Sequence, residues 1–193
     1  ERCRQVFEFA FELARSRASA GGKSKVTLVD KANVFSSMAF FRKVFDEVAA
    51  AHTDIETERL YVDACALDLV RRPWEFDVLV TENMFGDILS DLAAGLVGGM
   101  GFAPSADIGD SRAVFQPAHG SAPDIVGKGI ANPTAAILSG AMMLDWLGRK
   151  HQLSSCLDAA RLIEEAVEQA LQGGAEAFSS TTGMTQQVMD AIG

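Results

Sequence analysis

Residues 76–102, FDVLVTENMFGDILSDLAAGLVGGMGF, form the stretch of sequence on which the predicted fold and site depend. The apolar run over residues 76–80 predicts a buried strand, which the polar turn Thr81-Glu82-Asn83 ends. A helix is predicted to begin near Gly86, because apolar residues then follow at helical spacing: Ile88, Leu89, Leu92 and Leu96. A strand followed directly by a helix is the repeating unit of an α/β fold.

Two aspartates of this predicted helix, Asp87 and Asp91, are four residues apart. Their side chains therefore lie on one face of the helix, one turn apart. Mg²⁺ and Mn²⁺ prefer oxygen ligands, usually a few carboxylates with water and substrate completing the shell. Solvated acids are also common in the first turns of a helix, where the helix dipole favours negative charge. The spacing alone leaves both interpretations open.

The longer string around the two aspartates resembles the signature of the isocitrate and isopropylmalate dehydrogenase family. It consists of residues 83–91, NMFGDILSD, followed by residues 98–102, GGMGF. In that family the two aspartates hold the catalytic metal. The resemblance therefore implies that Asp87 and Asp91 bind Mg²⁺ or Mn²⁺.

Composition and charge limit the class of the protein. Of the 193 residues, 48% are hydrophobic and 22% are charged, which is typical of a soluble globular protein. The net charge of −9 argues against a nucleic-acid partner, and no apolar segment is long enough to predict a membrane span. The three cysteines lack metal-binding spacing, so we expect reduced thiols in a cytoplasmic protein.

The rest of the chain also alternates between predicted strands and helices. Helices are predicted over residues 1–17, 36–51, 64–72, 134–147 and 154–171, and strands over residues 25–30 and 55–62. Residues 113–133 are predicted to be mostly loop. Gly173 and Gly174 are predicted to end a helix, and Thr185 is predicted to cap the last one. Because polar residues follow several strands, we expect them to share one site.

The family resemblance implies an α/β, isopropylmalate dehydrogenase-like fold with two lobes. Residues 1–97 would belong to the metal, substrate and dimerisation lobe, and residues 98–193 would form the C-terminal part of the nucleotide-binding lobe. The resemblance covers the whole chain but only the C-terminal part of the family's length. We therefore expect a fold that is incomplete at its N-terminus, with the substrate-binding arginines and the catalytic tyrosine in a preceding segment.

Lys31 follows a predicted strand in the string VDKAN and matches the catalytic lysine of the family. That lysine moves a proton through water near the metal-bound substrate. An ammonium group beside a cation and partly out of water releases its proton more easily, so it can serve as acid or base. Asn33 matches a position that reaches the nicotinamide end of the cofactor. Without the resemblance, Lys31 would be a surface lysine and Asn33 a turn residue.

Asp63, in the string YVDACA, matches the third metal carboxylate of the family. In the family this aspartate and the lysine enter the active site of the neighbouring subunit. The resemblance therefore implies a homodimer in which the active site is shared between subunits. From the sequence alone, Asp63 could equally be the N-cap of the following helix.

Residues 119–125, HGSAPDI, and 127–133, GKGIANP, match the adenosine-binding loop of the family. A carboxylate at Asp124 can accept hydrogen bonds from the ribose hydroxyls of NAD and repels the extra phosphate of NADP. The resemblance implies NAD as the cofactor and these loop residues as its binding residues: His119, Gly120, Ser121, Ala122, Asp124, Ile125 and Asn132. Without it, His119 would be a loop histidine with a structural hydrogen bond.

Two further features concern the cofactor. The usual G-x-G-x-x-G fingerprint is missing from the sequence, because Gly99 and Gly101 are followed by Pro104 where the third glycine should stand. The family's cofactor site is not of the Rossmann kind, so this agrees with the resemblance. Gln116 stands where most relatives have a glutamate near the nicotinamide, and we expect it to alter cofactor affinity or the rate of hydride transfer.

The resemblance therefore implies a metal-dependent, NAD-linked oxidative decarboxylation of a 2-hydroxy acid that carries a β-carboxylate. The resemblance implies 3-isopropylmalate of leucine biosynthesis as the first substrate, since this is the commonest role in the family. Homoisocitrate, tartrate, D-malate and isocitrate are the alternatives within the family. A non-catalytic fragment, or a subunit lacking the N-terminal half of its site, is the alternative from another class.

Overall fold

The structure, a computed structural model, describes residues 1–172 and 180–193. The chain divides into two compact units, Glu1–Ala93 and Ala94–Gly193. The predicted helix break at Gly173 and Gly174 lies outside the described residues.

The first unit is a parallel sheet with helices between its strands. Its elements are α1 (Arg2–Ala18), β1 (Lys25–Asp30), α2 (Ser36–Ala49), β2 (Glu56–Tyr61), α3 (Val62–Arg71), β3 (Val78–Val80) and most of α4 (Asn83–Leu96). The strand order is β2-β1-β3, and both pairings are parallel. Five of the six β1 residues are buried, because this strand has neighbours on both edges. The strands predicted over residues 25–30 and 55–62 are confirmed.

Four phenylalanines form the centre of the first unit's core. Phe7 of α1 packs against Phe41 and Phe45 of α2, with ring centroids 4.6 and 5.3 Å apart. Phe11, one turn further along α1, stacks on Phe45 at 5.7 Å. Such aromatic pairs contribute about 0.5–1.5 kcal/mol each beyond the area they bury. They hold α1 and α2 together over the sheet, against the buried β1 residue Leu28.

The prediction that α4 begins near Gly86 is wrong, because the helix begins three residues earlier, at Asn83. The carboxylate of Glu82 explains the difference. It accepts hydrogen bonds from the backbone N–H groups of Met84 (3.0 Å) and Phe85 (2.8 Å). These are helix-starting donors that would otherwise lack a partner. The preceding strand is also shorter than predicted, since only Val78–Val80 pairs with β1.

In its described residues, the second unit contains a β-hairpin and three α-helices. Its elements are β4 (Pro104–Ile108), β5 (Ala113–Pro117), α5 (Thr134–His151), α6 (Ser154–Gln172) and α7 (Thr181–Ile192). The two strands pair antiparallel, so residues 113–117 are a strand, while the rest of the region predicted to be mostly loop, residues 118–133, has no strand or α-helix. This hairpin is short, and along β5 half-buried and exposed residues alternate. A weak alternation of this kind is easily mistaken for loop when prolines and glycines surround it.

The predicted cap of the last helix is also wrong. Ser180, not Thr185, is the N-cap of α7, and its Oγ accepts a hydrogen bond of 3.0 Å from the N–H of Gly183. Thr185 lies inside the helix and donates its hydroxyl to the carbonyl of Thr181. Met184 of α7 is buried against α6 in a small core.

None of the helices in the described part of the chain is long and apolar enough to cross a membrane. All three cysteines are free thiols. Burial raises the pKa of the Cys65 thiol to about 11, so this group remains protonated at neutral pH.

Candidate active site

Lys31 and Asp63 meet at the carboxyl ends of two neighbouring strands. β1 ends at Asp30 and β2 ends at Tyr61, and these two residues are directly paired in the parallel register. Lys31 therefore stands beside the start of α3, where its Nζ donates a hydrogen bond to Asp63 Oδ1. This bond lowers the pKa of the Asp63 carboxyl below its usual value. Asp63 lies in the first turn of α3 rather than at its N-cap position, which Tyr61 occupies.

The Lys31 ammonium is partly shielded from water. Its side chain is 23% exposed, compared with 68% for its partner Asp63. Its Nζ also lies over the ring of Tyr61, 5.6 Å from the ring centroid, which is within the range of a cation–π contact. Asn33, two residues on, is exposed. Lys31 is thus more enclosed than Asn33 and Asp63, the other predicted site residues at this sheet edge.

Asp87 and Asp91 both lie exposed on α4, as the spacing predicted. Within residues 1–172 and 180–193, neither carboxylate has a hydrogen-bond or ion-pair partner. Two open carboxylates one turn apart fit a hard divalent cation, which takes oxygen ligands and keeps several waters. However, the structure does not bring Asp63 to them. No cluster of three or more histidine, cysteine, aspartate or glutamate side chains that could hold a metal occurs among the described residues.

The predicted cofactor loop lies on the surface of the second unit. From His119 to Asp124 every residue is exposed, and Ile125 is half-buried. Ala122 adopts a left-handed conformation with φ 42°, which a residue with a side chain rarely adopts outside a tight turn. The ring nitrogen Nδ1 of His119 lies 2.8 Å from the carbonyl of Gly120. The carboxylate of Asp124 has no partner among the described residues, so it is open to a ligand hydroxyl.

The end of this loop is anchored to two helices. Asn132 Oδ1 accepts a hydrogen bond of 2.9 Å from the N–H of Thr134, the first residue of α5. From α7, Thr181 donates its backbone N–H to Gly129 (2.8 Å) and its hydroxyl to Ala131 (2.5 Å). The exposed first half of the loop therefore projects from a fixed base. Its last predicted binding residue, Asn132, already uses its carbonyl oxygen within the chain.

The sequence reasoning missed a group of residues behind Lys31. Asp30 is completely buried, and it forms an ion pair with Arg42 of α2. The hydrogen bonds to Asp30 are the main cause of the raised pKa of the Arg42 guanidinium. The signal was present in the sequence, because an acid closes the apolar strand KVTLVD and an arginine directly follows the buried Phe41.

Comparison with known proteins adds to this geometry. The model of the family described as isocitrate/isopropylmalate dehydrogenase matches residues 1–192 of the chain. The chain belongs to this family. The observed fold agrees, because solved structures with this α/β, isopropylmalate dehydrogenase-like architecture superpose on nearly all of it.

Individual relatives have about half of their length in common with the chain. A 3-isopropylmalate/3-methylmalate dehydrogenase of Methanocaldococcus jannaschii is 50% identical over 173 residues, which cover 89% of this chain and 50% of the relative. An isocitrate/homoisocitrate dehydrogenase of Thermus thermophilus is also 50% identical, over 90% of this chain and 52% of its own length. The chain thus spans about half the length of these relatives.

Among solved structures, isocitrate dehydrogenase from Methylococcus capsulatus superposes with a TM-score of 0.86 at 43% identity. The superposition covers 98% of this chain and 56% of the isocitrate dehydrogenase chain. The apo form of a β-decarboxylating dehydrogenase from Thermococcus kodakarensis superposes with a TM-score of 0.84 at 42% identity. This superposition covers 98% of this chain and 54% of the Thermococcus kodakarensis chain.

Proposed function

We propose that this chain is part of a metal-dependent, NAD-linked β-decarboxylating dehydrogenase. The observation that carries the proposal is the ion pair of Lys31 with Asp63, formed in the same unit that exposes two unpaired carboxylates on α4. A lysine, a carboxylate pair and a third carboxylate are among the groups that such a reaction needs. The family membership and the names of the relatives support the same activity.

The metal would be Mg²⁺ or Mn²⁺, held by Asp87 and Asp91 of one copy of the chain and by Asp63 of a second copy. When bound, such an ion supplies Lewis-acid stabilisation of charge on the substrate's oxygens. Lys31 would assist removal of the substrate's hydroxyl proton through water, as hydride passes to NAD from the carbon that bears this hydroxyl. Its partly shielded position at the carboxyl end of β1, with its Nζ bound to Asp63, favours this role by holding the group in place.

A homodimer would supply the missing third ligand, and the surface of the first unit supports one. Large apolar side chains of α3 and α4 are exposed, each by more than half: Leu67 and Val70 on α3, and Met84 and Ile88 on α4. Exposed apolar groups on neighbouring helices mark interaction surfaces. The same subunit that contributes Lys31 would contribute Asp63, since the two are already paired within one chain.

The cofactor would be NAD, bound by the exposed loop that contains Asp124. An unpaired carboxylate can accept hydrogen bonds from both ribose hydroxyls and repels a phosphate at the same place. Asn33 would contact the nicotinamide end, and the other loop residues would enclose the adenosine. Gln116 is exposed on β5, and its neutral amide would remove one negative charge from the site.

For the substrate we propose 3-isopropylmalate first, with homoisocitrate, isocitrate, tartrate and D-malate as alternatives. Identity does not decide between them, because the 3-isopropylmalate/3-methylmalate and the isocitrate/homoisocitrate relatives are both 50% identical to the chain. A place in leucine biosynthesis and in the cytoplasm stays a prediction.

Metal binding is the direct test of the site. Titration of the chain with Mn²⁺, followed by electron paramagnetic resonance, is expected to detect a bound ion, and Asp87→Asn is expected to abolish that binding. Asp107→Asn is the control, since it removes an exposed carboxylate of the second unit. Equal Mn²⁺ binding by all three proteins would remove the metal assignment.

For the cofactor, Asp124→Lys is expected to weaken NAD binding, and unchanged affinity would contradict the ribose assignment.

Activity tests the whole proposal. The chain and the full translation product of its gene would each be incubated with NAD, Mg²⁺ and a panel of the five acids, with formation of NADH as the readout. Turnover of one acid by either protein names the substrate. Silence of both proteins on every acid would favour the non-catalytic alternative.

A further inference from the structure

A buried carboxylate lies directly behind Lys31 in the first unit. Asp30 is 0% exposed, and three donors satisfy its oxygens. Arg42 donates its Nε to Oδ2 (2.8 Å) and its Nη2 to Oδ1 (2.7 Å), and the backbone N–H of Ala32 donates to Oδ1 (2.9 Å). A buried charge is tolerated only when it is paired and hydrogen-bonded in this way. The ion pair therefore locks the end of β1 to α2.

Hydrogen bonds around this lock hold the peptide group that follows Lys31. The peptide N–H after Lys31 is bound by Asp30, and the carbonyl of Lys31 accepts hydrogen bonds from Val34 and Phe35, both at 3.0 Å. The Cα of Lys31 is thus fixed relative to β1 and to the start of α2. Removal of the Arg42 guanidinium would leave Asp30 buried and uncompensated, and this local geometry would be the first to change.

Tyr61 extends the support to the Lys31 side chain. It is paired with Asp30 across the sheet, and its ring lies under two cations. The guanidinium carbon of Arg42 is 5.2 Å from the ring centroid and the Nζ of Lys31 is 5.6 Å from it. Two residues later, Asp63 binds the same Nζ. An aromatic ring and a carboxylate thus restrain an ammonium group that would otherwise rotate on a flexible stem.

We propose that Arg42 and Tyr61 are positioning residues for Lys31. Arg42 fixes the backbone of Lys31 through Asp30, and the Tyr61 ring holds the ammonium beside Asp63. The inference rests on the proposed proton-transfer role of Lys31, because positioning matters to the reaction only if this lysine takes part in it. A reacting group held in advance loses less entropy in the reaction, and a displacement of 1 Å can cost about 10²-fold in rate.

The first test measures the order of the lysine side chain rather than activity. In the chain labelled with ¹³C at the lysine ε-carbon, nuclear magnetic relaxation reports the order parameter of each ε-methylene group, and Lys31→Arg assigns the signal. Lys43, exposed on α2, is the internal reference. Tyr61→Leu is expected to lower the order parameter of the Lys31 ε-methylene group toward that of Lys43. Tyr61→Phe keeps the ring and is expected to restore it.

The second variant addresses the buried pair. Arg42→Met is expected to loosen Lys31, and Arg42→Lys to restore only part of its order, since lysine cannot form the bidentate contact. Arg59→Met is the matched control. Arg59 also binds a carboxylate with two nitrogens, Asp46 at 2.9 and 2.7 Å, and lies over a phenylalanine ring, but it does not contact Lys31. If Arg42→Met does not fold, the Tyr61 variants alone decide.

The third readout separates positioning from substrate binding. In the form of the protein that turns over substrate, Tyr61→Leu is expected to lower kcat about tenfold or more, with KM for NAD unchanged and Tyr61→Phe near normal. If the Tyr61→Leu protein is folded and the order parameter of the Lys31 ε-methylene group is unchanged, the proposal is overturned. Absence of turnover in the unchanged protein counts against the proposed function instead, and the relaxation measurement still tests the positioning.

Discussion

At the scale of single residues, the ion pair of Lys31 and Asp63 makes stability depend on pH. The hydrogen bond from Lys31 lowers the pKa of Asp63 in the folded chain from its ordinary value of 3.8. A carboxyl whose pKa is lower in the folded state binds fewer protons there than in the unfolded state. Its stabilising contribution is therefore present above pH 3.8 and is lost as the pH falls through the folded pKa.

A double-mutant cycle with Asp63→Asn and Lys31→Met measures this contribution. We expect a favourable coupling in the free energy of unfolding near neutral pH, because Lys31 Nζ then donates its hydrogen bond to the ionised Asp63 carboxylate. The coupling is expected to disappear well below the ordinary aspartate pKa. Urea denaturation of the four proteins at both pH values gives the comparison. A coupling that persists unchanged in acid, where Asp63 is protonated, would mean that the coupling does not come from the attraction between the two charges.

The residues of the site were only partly predictable from the sequence. The spacing of Asp87 and Asp91 was enough to place them on one exposed helix face, because helical periodicity is a local property. The contact of Lys31 with Asp63 depends on the register of β1 with β2, which no local pattern determines. The role of Asp30 was missed for the same reason, since its partner Arg42 comes from the next helix.

At the scale of elements, the turn between α5 and α6 depends on a glycine. A Cβ added at Gly148 would meet Leu157 Cδ2 at 2.7 Å and Leu157 Cγ at 2.8 Å. Gly148→Ala is therefore expected to destabilise the protein by about 1–3 kcal/mol. Gly140→Ala, in the same helix, meets nothing within 4 Å and is expected to stabilise it by about 0.5–1 kcal/mol.

Thermal or urea unfolding of the two glycine variants checks this prediction. The pair is informative because both substitutions raise helix propensity, whereas only the Cβ at Gly148 meets Leu157 and, at 3.1 Å, the carbonyl oxygen of Leu153. If both variants were stabilised alike, the close approach of α6 to Gly148 would be incorrect.

The N-terminus of α7 gives a second prediction at this scale. Ser180 accepts a hydrogen bond from Gly183, so Ser180→Ala is expected to cost about 1 kcal/mol. The hydroxyl of Thr185 only binds back to Thr181 within the helix, so Thr185→Ala is expected to change stability by less than about 0.5 kcal/mol. Hydrogen exchange of the α7 amides measures both. The opposite order of effects would make Thr185 the cap.

The elements also differ in how well the sequence predicted them. β1 was predicted to the residue, because a β-branched run with buried neighbours has a strong pattern. The hairpin of β4 and β5 was missed, since Pro104 and Pro117 are its first and last residues and none of its residues is fully buried. α4 begins earlier than predicted because Glu82, a residue of the predicted turn, accepts hydrogen bonds from the N–H groups of Met84 and Phe85 with its side chain.

At the scale of the whole molecule, the proposed shared site predicts complementation between inactive subunits. In a two-fold dimer, each site would take Lys31 and Asp63 from one subunit and Asp87 from the other. Mixed dimers of Lys31→Ala and Asp87→Asn subunits would then contain one intact site. Random exchange makes half of the dimers mixed, so about a quarter of full activity is expected.

Mixing Lys31→Ala with Asp63→Ala subunits is the control for this experiment. Both substitutions affect the same subunit's contribution, so every site in the mixed dimer lacks one group and no activity should return. NADH formation after subunit exchange is the measurement. Recovery in the control, or none in the first mixture, would contradict a site divided in this way.

The central position of β1 in its sheet also determines the order in which the sheet can form during translation. β1 leaves the ribosome before Glu56–Tyr61 and Val78–Val80, the only strands that pair with it among the described residues. Until both have emerged, an apolar strand with open edges is present on the nascent chain. Unpaired edges of this kind promote aggregation. The interval between the emergence of β1 and that of Val78–Val80 is therefore a stage at which a chaperone could protect the open edges of this strand.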